Sequence, residues 1–389
     1  MIVSQYYPPD ITAAAFRVRD MVEALNECGH KVTVLTTVPH RVVISGGGGE
    51  ENSNNVNVHR FKVPKVTTSF LSRIINYLGF ATLAVFFTLF KLRGKFDIII
   101  ISSPPLFLAI TGYILAKLKR AKCIADIRDI WPDSAVAVNV VRQRSAAYRI
   151  LKAVEMLLYK SSNYIICVSK PMKDYISSHV DSRKISVIYN GISKDITSNP
   201  LPEIKNKGGI KLVYVGNIGK FQGLDILIDA FARLDNEGYT DICLDIIGDG
   251  VEYERLLARA EIQGLNSIKF WGPVAREKLN GQLADADVFF LQLIDEPILE
   301  KTIPSKLFDY LYYNKPIIAG IKGEGSDIIR HLNCGIVYKP NDLEELLLAL
   351  KIIKNNYNHY ERASSTNREY LLQHFNRKRN FKEYFMKIL

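Results

Sequence analysis

Short apolar runs alternate with amphipathic helical patterns along nearly the whole chain, and this alternation limits the fold more than any other feature. In the second half, strand-like Ile210–Val215 precedes a helical pattern over Leu224–Leu234. Strand Ile242–Ile247, helix Val251–Gln263, strand Ile268–Trp271, helix Arg276–Ala284 and strand Val288–Leu293 follow. Pro316–Ala319, Ser326–His331, Gly335–Tyr338 and Leu343–Lys354 then repeat strand, helix, strand, helix. Continuously apolar strands separated by helices predict a parallel sheet covered on both faces. The first half follows the same rhythm, from Ile2–Ser4, helix Ala13–Cys28 and strand Lys31–Thr36 to strands Val56–Val63, Phe96–Ser102, Cys123–Ile127, Tyr164–Val168 and Ile185–Ile188. The expected architecture is α/β, two doubly wound Rossmann-like domains facing a cleft, with ligands at the carboxyl ends of the strands. A shift to Pro, Lys, Asn and Gly at Pro200–Gly209 sets the expected boundaries: a first domain over 1–195, a linker over 196–209 and a second domain over 210–375. Gly46–Gly49, followed by Glu50–Asn55, reads as a flexible polar loop.

Charge divides unevenly between the halves. Residues 1–190 hold 25 Lys and Arg against 13 Asp and Glu, whereas the remainder holds 26 against 27. The first half therefore faces something anionic, and the apolar content nearby favours a lipid surface over nucleic acid. From Ile74 to Phe90 there are 17 residues without a charge, bounded by Arg73 and by Lys91, Arg93 and Lys95. That length is marginal for a bilayer span, and the segment sits between two strands of one sheet. The expectation is a crossover helix with leftover apolar surface and a basic rim; a wholly buried core helix is the alternative. Five scattered cysteines without a Cys-x-x-Cys argue for a reducing compartment and against structural zinc or a disulfide framework. Met1-Ile2-Val3-Ser4 runs into a strand with no basic leader, so no secretory signal is expected.

Chemistry concentrates in the second half. Pro304-Ser305-Lys306-Leu307-Phe308-Asp309-Tyr310 reads as a helix start, with Ser305 placed to accept from orphan amides. Lys306 lies in the first turn, where a cation is disfavoured by the dipole, which suggests an anion there, most simply a diphosphate. A solvated Lys on an ordinary helix remains open on spacing alone. Asp309, three residues on, would face nearly the same side and hold sugar hydroxyls. Glycine-bearing turns end three successive strands: Gly216-Asn217-Ile218-Gly219 with Gln222-Gly223, Gly248-Asp249-Gly250, and Phe270-Trp271-Gly272. Such turns admit phosphate oxygens to backbone amides, although each alone is a weak signal. Asp285-Ala286-Asp287 offers an Asp-x-Asp, but it falls where a helix hands over to a strand and is read as a junction, so no metal is expected.

In this order these motifs resemble the family 4 retaining glycosyltransferases of the GT-B architecture. Ser4-Gln5-Tyr6-Tyr7-Pro8-Pro9, Gly29-His30-Lys31-Val32-Thr33-Val34-Leu35, Ser102-Ser103-Pro104-Pro105, Arg128-Asp129-Ile130-Trp131-Pro132-Asp133-Ser134 and Asn190-Gly191 extend the likeness through the first half. The subgroup it most resembles adds N-acetylated aminosugars such as N-acetylfucosamine in bacterial O-antigen or capsule assembly. The resemblance implies a UDP-sugar donor at Gly216, Asn217, Gly219, Gln222, Gly248, Trp271, Gly272, Pro304, Ser305, Lys306 and Asp309, with Asp309 on the ribose and no metal or other cofactor. The family's sugar-contacting acid falls at Lys301 here, with Glu300 one residue out of register. Where many relatives carry Arg and Lys on the diphosphate, this chain has Asn217 and Gln222, which puts more of the task on Lys306.

On the acceptor side the expected residues are Tyr7, Arg17, Arg128 and Trp131. Asp129 either accepts the acceptor hydroxyl's proton or holds the sugar; an ion pair anchoring its loop is the structural alternative. With Lys306 and Glu300, Asp129 completes the expected catalytic set. The acceptor is expected to be a polyprenyl-diphosphate-linked sugar, met by a cytoplasmic enzyme on the inner face of the cell membrane through its basic first domain and residues 70–95. The final helix, 376–389, is expected to pack back on the first domain. A UDP-sugar 2-epimerase of the same architecture, or a catalytically silent assembly subunit, are the rival readings.

Overall fold

The computed structural model describes residues 1–39, 55–64, 70–192, 209–274 and 276–389. The loop expected at Gly46–Gly49 and the linker expected over 196–209, apart from Gly209, lie outside the described residues. Contacts divide the chain into two units, Met1–Ser193 with Asn376–Leu389, and Lys194–Phe375.

The first unit holds strands β1 (Ile2–Val3), β2 (Val32–Thr37), β3 (Val56–Phe61), β4 (Ile98–Ser103), β5 (Lys122–Ile127), β6 (Tyr164–Cys167) and β7 (Ile185–Val187). They form one sheet in the order β3-β2-β1-β4-β5-β6-β7, every pair parallel. The second holds β8 (Ile210–Val215), β9 (Ile242–Ile247), β10 (Ile268–Gly272), β11 (Val288–Gln292), β12 (Ile317–Gly320) and β13 (Gly335–Val337). Its order is β10-β9-β8-β11-β12-β13, again wholly parallel. Each sheet grows one way from its first strand and then jumps to the other side. The switch points are therefore β1/β4 and β8/β11, where such sheets leave a crevice beyond the strand ends.

The strands are buried on both faces because helices cover both, so β11 shows no exposed position at all. Helix Asp225–Asn236 turns Ile226, Leu227, Ala230, Phe231 and Leu234 onto the second sheet, against Tyr214, Phe290 and Leu346. In the first unit, helix Ala13–Glu27 brings Val18, Met21, Val22 and Leu25 onto β1 and β2. The last helix, Arg377–Ile388, lies against it and buries Phe381 and Phe385. Arg377 fixes this return. It pairs with buried Asp20 at 2.5 Å and donates to the Asn190 carbonyl at 2.7 Å, beside a parallel bridge between Ile192 and Asn376.

Helix Phe70–Phe90 does not become wholly buried. Its inner side packs through Phe80, Ala84 and Thr88, and Asn76 accepts from Gln5 Nε2 at 2.8 Å. Only 28 % of its Ser72–Phe90 stretch is enclosed. Ile75, Leu78, Leu83, Phe86, Leu89 and Phe90 remain exposed as a stripe at helical spacing, with Ile110 and Leu118 of the adjoining helix Leu108–Lys119 also exposed. Helices Asp133–Ala137, Lys170–Ser177, Tyr357–Thr366 and Arg368–His374 are not among the elements expected from the sequence. The second carried a legible start, since Ser169 Oγ accepts from Met172 N–H at 3.1 Å and a proline stands in the first turn.

Candidate active site

The end of β8 and the helix following β11 meet at the switch point of the second sheet. Gly216 follows β8 at φ +136°, a conformation that only glycine adopts without strain. The Lys306 amine lies directly above it: a Cβ on Gly216 would stand 2.9 Å from Lys306 Nζ. Gly248, at the end of β9, shares that φ and presses on the same turn, so a Cβ there would come within 2.0 Å of the Gly216 carbonyl oxygen. Gly216 N–H donates to Ile247 O and Gly248 N–H to Gly272 O, both at 2.9 Å, which levels the three turns at one edge.

Lys306 donates to Tyr214 Oη at 2.6 Å and lies 3.9 Å from the centre of that ring. The phenol in turn donates to the Asn217 carbonyl at 2.6 Å. Tyr214 belongs to β8 and is fully buried; desolvation raises its ionisation well above the ordinary range, which keeps the phenol neutral. Burial also pushes the Lys306 ammonium down to about 7, against a partial opposing pull from Asp309. Tyr310, on the same helix as Lys306, stacks on Phe289 of β11 at 4.3 Å and accepts from Val215 N–H at 2.9 Å. These two tyrosines fasten helix Lys306–Tyr312 to the strand end. Neither was singled out from the sequence, although a Tyr in the aliphatic run of β8 must find a partner for its hydroxyl.

The remaining donor-side residues divide. Asn217 donates to Gln222 Oε1 at 3.2 Å, and Gly219 N–H reaches the same oxygen at 3.1 Å, so this pair closes the turn from within. Ser305 is not the side-chain cap expected of it. Its own backbone is helical, and the amides of Leu307 and Phe308 bond to the carbonyls of Pro304 and Ser305 at 3.0 and 3.2 Å. Among the described residues, the amides of Asn217, Ser305 and Lys306 make no hydrogen bond, so the free donors are fewer than a bare helix end would give. Asp309 is partly exposed one turn along from Lys306. Trp271 stands apart: it shares the exposed face of β10 with Lys269, its indole 40 % exposed and its ring centre 3.6 Å from Lys269 Nζ. Glu300 lies in a short 3-10 turn, 3.9 Å from Lys322, on a depression that also takes in Asp295 and Ile321. Among the described residues it makes no ion pair with Lys306.

The Asp-x-Asp sequence acts as a junction. Asp285 pairs with Lys211 Nζ at 2.7 Å and Asp287 accepts Lys211 N–H at 2.8 Å, which fastens β11 to β8. Among the described residues no group of three or more His, Cys, Asp or Glu is placed to hold a metal ion.

In the first unit two acceptor-side expectations are corrected outright. Arg17 is fully buried, forked onto Asp126 at 2.8 to 3.1 Å and bonded to the Tyr189 carbonyl at 3.0 Å, so no N–H is turned to solvent. Tyr7 is 5 % exposed and packs in the core beneath Arg60. Arg128 is also mostly enclosed, donating to the Pro104 carbonyl at 2.7 Å and facing Asp126 at 3.9 Å. Asp129 accepts from Ser134 Oγ at 2.9 Å, and desolvation raises its carboxyl above the ordinary range. Trp131, half-buried, follows it in the same loop. Asp133 ends the loop and ties it down, accepting from Lys152 and Tyr148 at 2.7 Å each and from Tyr175 at 2.9 Å.

Comparison with known proteins accounts for both units. Residues 12–191 match the glycosyl transferase 4-like domain, and residues 195–370 match the glycosyl transferases group 1. An uncharacterized glycosyltransferase of Methanocaldococcus jannaschii is 26% identical over 342 residues, 86% of this chain and 84% of that protein. WcaI of Escherichia coli strain K12, named as a colanic acid biosynthesis glycosyl transferase, is 26% identical over 327 residues, 78% of this chain and 79% of its own length. Among solved structures, Anabaena HepE in complex with UDP-glucose superimposes with a TM-score of 0.72 at 14% identity, covering 100% of this chain and 99% of that one.

Proposed function

Because the chain joins a glycosyl transferase 4-like domain to a group 1 domain, and is on that ground a glycosyltransferase of the GT-B type, we propose that it moves a sugar from a UDP-linked donor to a lipid-linked saccharide. The observation that carries the donor half is the Lys306 amine above Gly216 at the β8/β11 switch point, with no carboxylate in ion-pair contact among the described residues. Cleaving a sugar–phosphate bond leaves negative charge on the departing diphosphate. A pre-aimed ammonium and backbone amides stabilise that charge more as it develops, which lowers the barrier. Such stabilisation needs no divalent ion, and the proposal is a metal-independent reaction with retention at the anomeric carbon. In an internal return, the leaving phosphate oxygen takes the acceptor hydroxyl's proton while that hydroxyl's oxygen bonds to the sugar on the same face.

The finer reading is an N-acetylated aminosugar placed on a polyprenyl-diphosphate-linked acceptor in surface polysaccharide assembly, such as O-antigen or capsule. WcaI, by its name, supports the polysaccharide setting. The exposed stripe on helix Phe70–Phe90, with Lys91, Arg93 and Lys95 after it, supports docking on the cytoplasmic face of a membrane carrying anionic lipid. Asp129 and Trp131 are proposed on the acceptor side, and Asp309 and Glu300 near the donor's sugars. The test is to incubate the protein with lipid-linked saccharide from bacterial membranes and a panel of UDP-sugars, with and without EDTA. One donor should add its sugar mass whether or not EDTA is present, and Lys306→Ala should remove most of that transfer. Isomerised UDP-sugar with no transfer to lipid would refute the reading.

A further inference from the structure

Two glycosyltransferase-domain features, the glycine turn and the amine above it, are linked by a tyrosine that the proposed reaction does not itself use. Tyr214 reaches from the interior of β8 to the surface of the turn. Among the described residues its hydroxyl is the one hydrogen-bond partner of the Lys306 amine, and its ring supplies the other contact. The phenol is itself fixed by the Asn217 carbonyl, which belongs to the turn. The ionisable groups around the amine are few. Tyr214 and Tyr310 are both held neutral by burial, and Asp309 lies one turn along the same helix. The neighbouring side chains of the turn, Asn217 and Gln222, carry no charge and bond to each other.

We propose that Tyr214 is the positioning residue for Lys306, and that a nucleoside diphosphate enters the Gly216 turn together with one proton, taken up by the Lys306 amine. The proposal rests on the donor reading given above. An amine that meets a neutral phenol and an aromatic face has weak support for its charge, whereas a diphosphate beside it supplies that support in full. An ammonium that titrates at about 7 before the ligand arrives is mostly neutral at pH 8. Binding at that pH then requires protonation, and the proton comes from the buffer. A lysine ion-paired beforehand would bind the same ligand without exchanging a proton.

Calorimetry of UDP binding to the full chain at pH 8, in buffers of different ionisation enthalpy, reads this directly. The expected uptake approaches one proton per UDP bound. Lys306→Arg keeps the cation but cannot lose its charge, so uptake should fall to nearly zero and give the baseline for UDP's own titration. Tyr214→Phe keeps the ring and removes the hydroxyl. UDP affinity should fall about tenfold, and the pH at which half a proton is taken up should move down, a shift that general loosening of the strand would not produce. UDP binding without proton uptake, or Lys306→Arg retaining full uptake, overturns the inference and leaves the donor reading standing. If UDP does not bind the wild-type chain, the donor reading fails and the inference falls with it.

Discussion

Replacing Gly248 by alanine should disable the donor turn by driving a Cβ into the Gly216 backbone. The added Cβ would stand 2.0 Å from the Gly216 carbonyl oxygen and 2.9 Å from its carbon, where contacts under 3.0 Å are not tolerated. Backbone rather than a flexible side chain is in the way, so the Gly216 turn must move by roughly 1 Å, the gap between those limits. Gly248 also has φ +136°, and an alanine there adds about 1 to 3 kcal/mol of conformational strain. With about 1 to 3 kcal/mol for the overpacked contact, the total is about 2 to 6 kcal/mol. For a unit of this size that lowers Tm by roughly 5 to 20 °C. Where the protein still folds, Lys306 no longer hangs over the turn at its native height. Loss of one charge-assisted hydrogen bond, about 1.5 to 3 kcal/mol, weakens UDP binding about 10- to 100-fold. Differential scanning calorimetry and UDP titration measure both effects. Gly281→Ala is the control: it lies in helix Arg276–Ala284 with nothing within 4 Å, and should leave binding unchanged while stabilising by about 0.5 to 1 kcal/mol. If Gly248→Ala kept wild-type Tm and affinity, the claim that abutting glycine turns set the height of this site would be wrong.

Three further outcomes follow from the same structure. Arg377→Met leaves buried Asp20 with the longer 3.4 Å pairing to Arg19 and should cost about 3 to 5 kcal/mol in urea unfolding of the first unit; the double change with Asp20→Leu should recover much of it. Asp129→Asn should be more stable than wild type at neutral pH. Its carboxyl is raised in the folded state, so the acid's contribution is full below its ordinary value of 3.8 and is lost as pH rises through the folded value; the variant's advantage should therefore vanish toward pH 3 in a thermal series. Phe86→Asp with Phe90→Asp should abolish sedimentation with vesicles containing anionic lipid while leaving UDP affinity unchanged, whereas equal co-sedimentation would remove the stripe from the membrane proposal.

Both parallel sheets could be read from periodicity because their strands are buried on two faces and their helices on one, a contrast that composition carries directly. Lys306 was legible because a cation in a first helical turn opposes the local dipole and asks for an explanation. What periodicity cannot register is the direction of a polar side chain once the sheet has formed. Arg17 looked like an exposed arginine in a loop-proximal helix, yet Asp126, distant in sequence, draws it fully inside. Tyr7 was placed on a binding loop and is core. Trp271 stands at its strand end as expected, but the alternation of β10 sets its indole on the exposed face beside Lys269. Tyr214 stands in an apolar strand run, and the sequence alone does not show that its hydroxyl meets Lys306 and the Asn217 carbonyl.

Helix Arg377–Ile388 supplies Phe381 and Phe385 to the interior of the first unit, so that unit is assembled from two segments with the whole second unit between them. A nascent chain therefore cannot finish it in the order of synthesis. Residues up to 192 leave the ribosome without Phe381 and Phe385 in their core and without the Arg377 partner of buried Asp20, and they must wait while the contiguous second unit is made. The part translated earlier is the later to close, and during that interval its incomplete core is a natural client for chaperones.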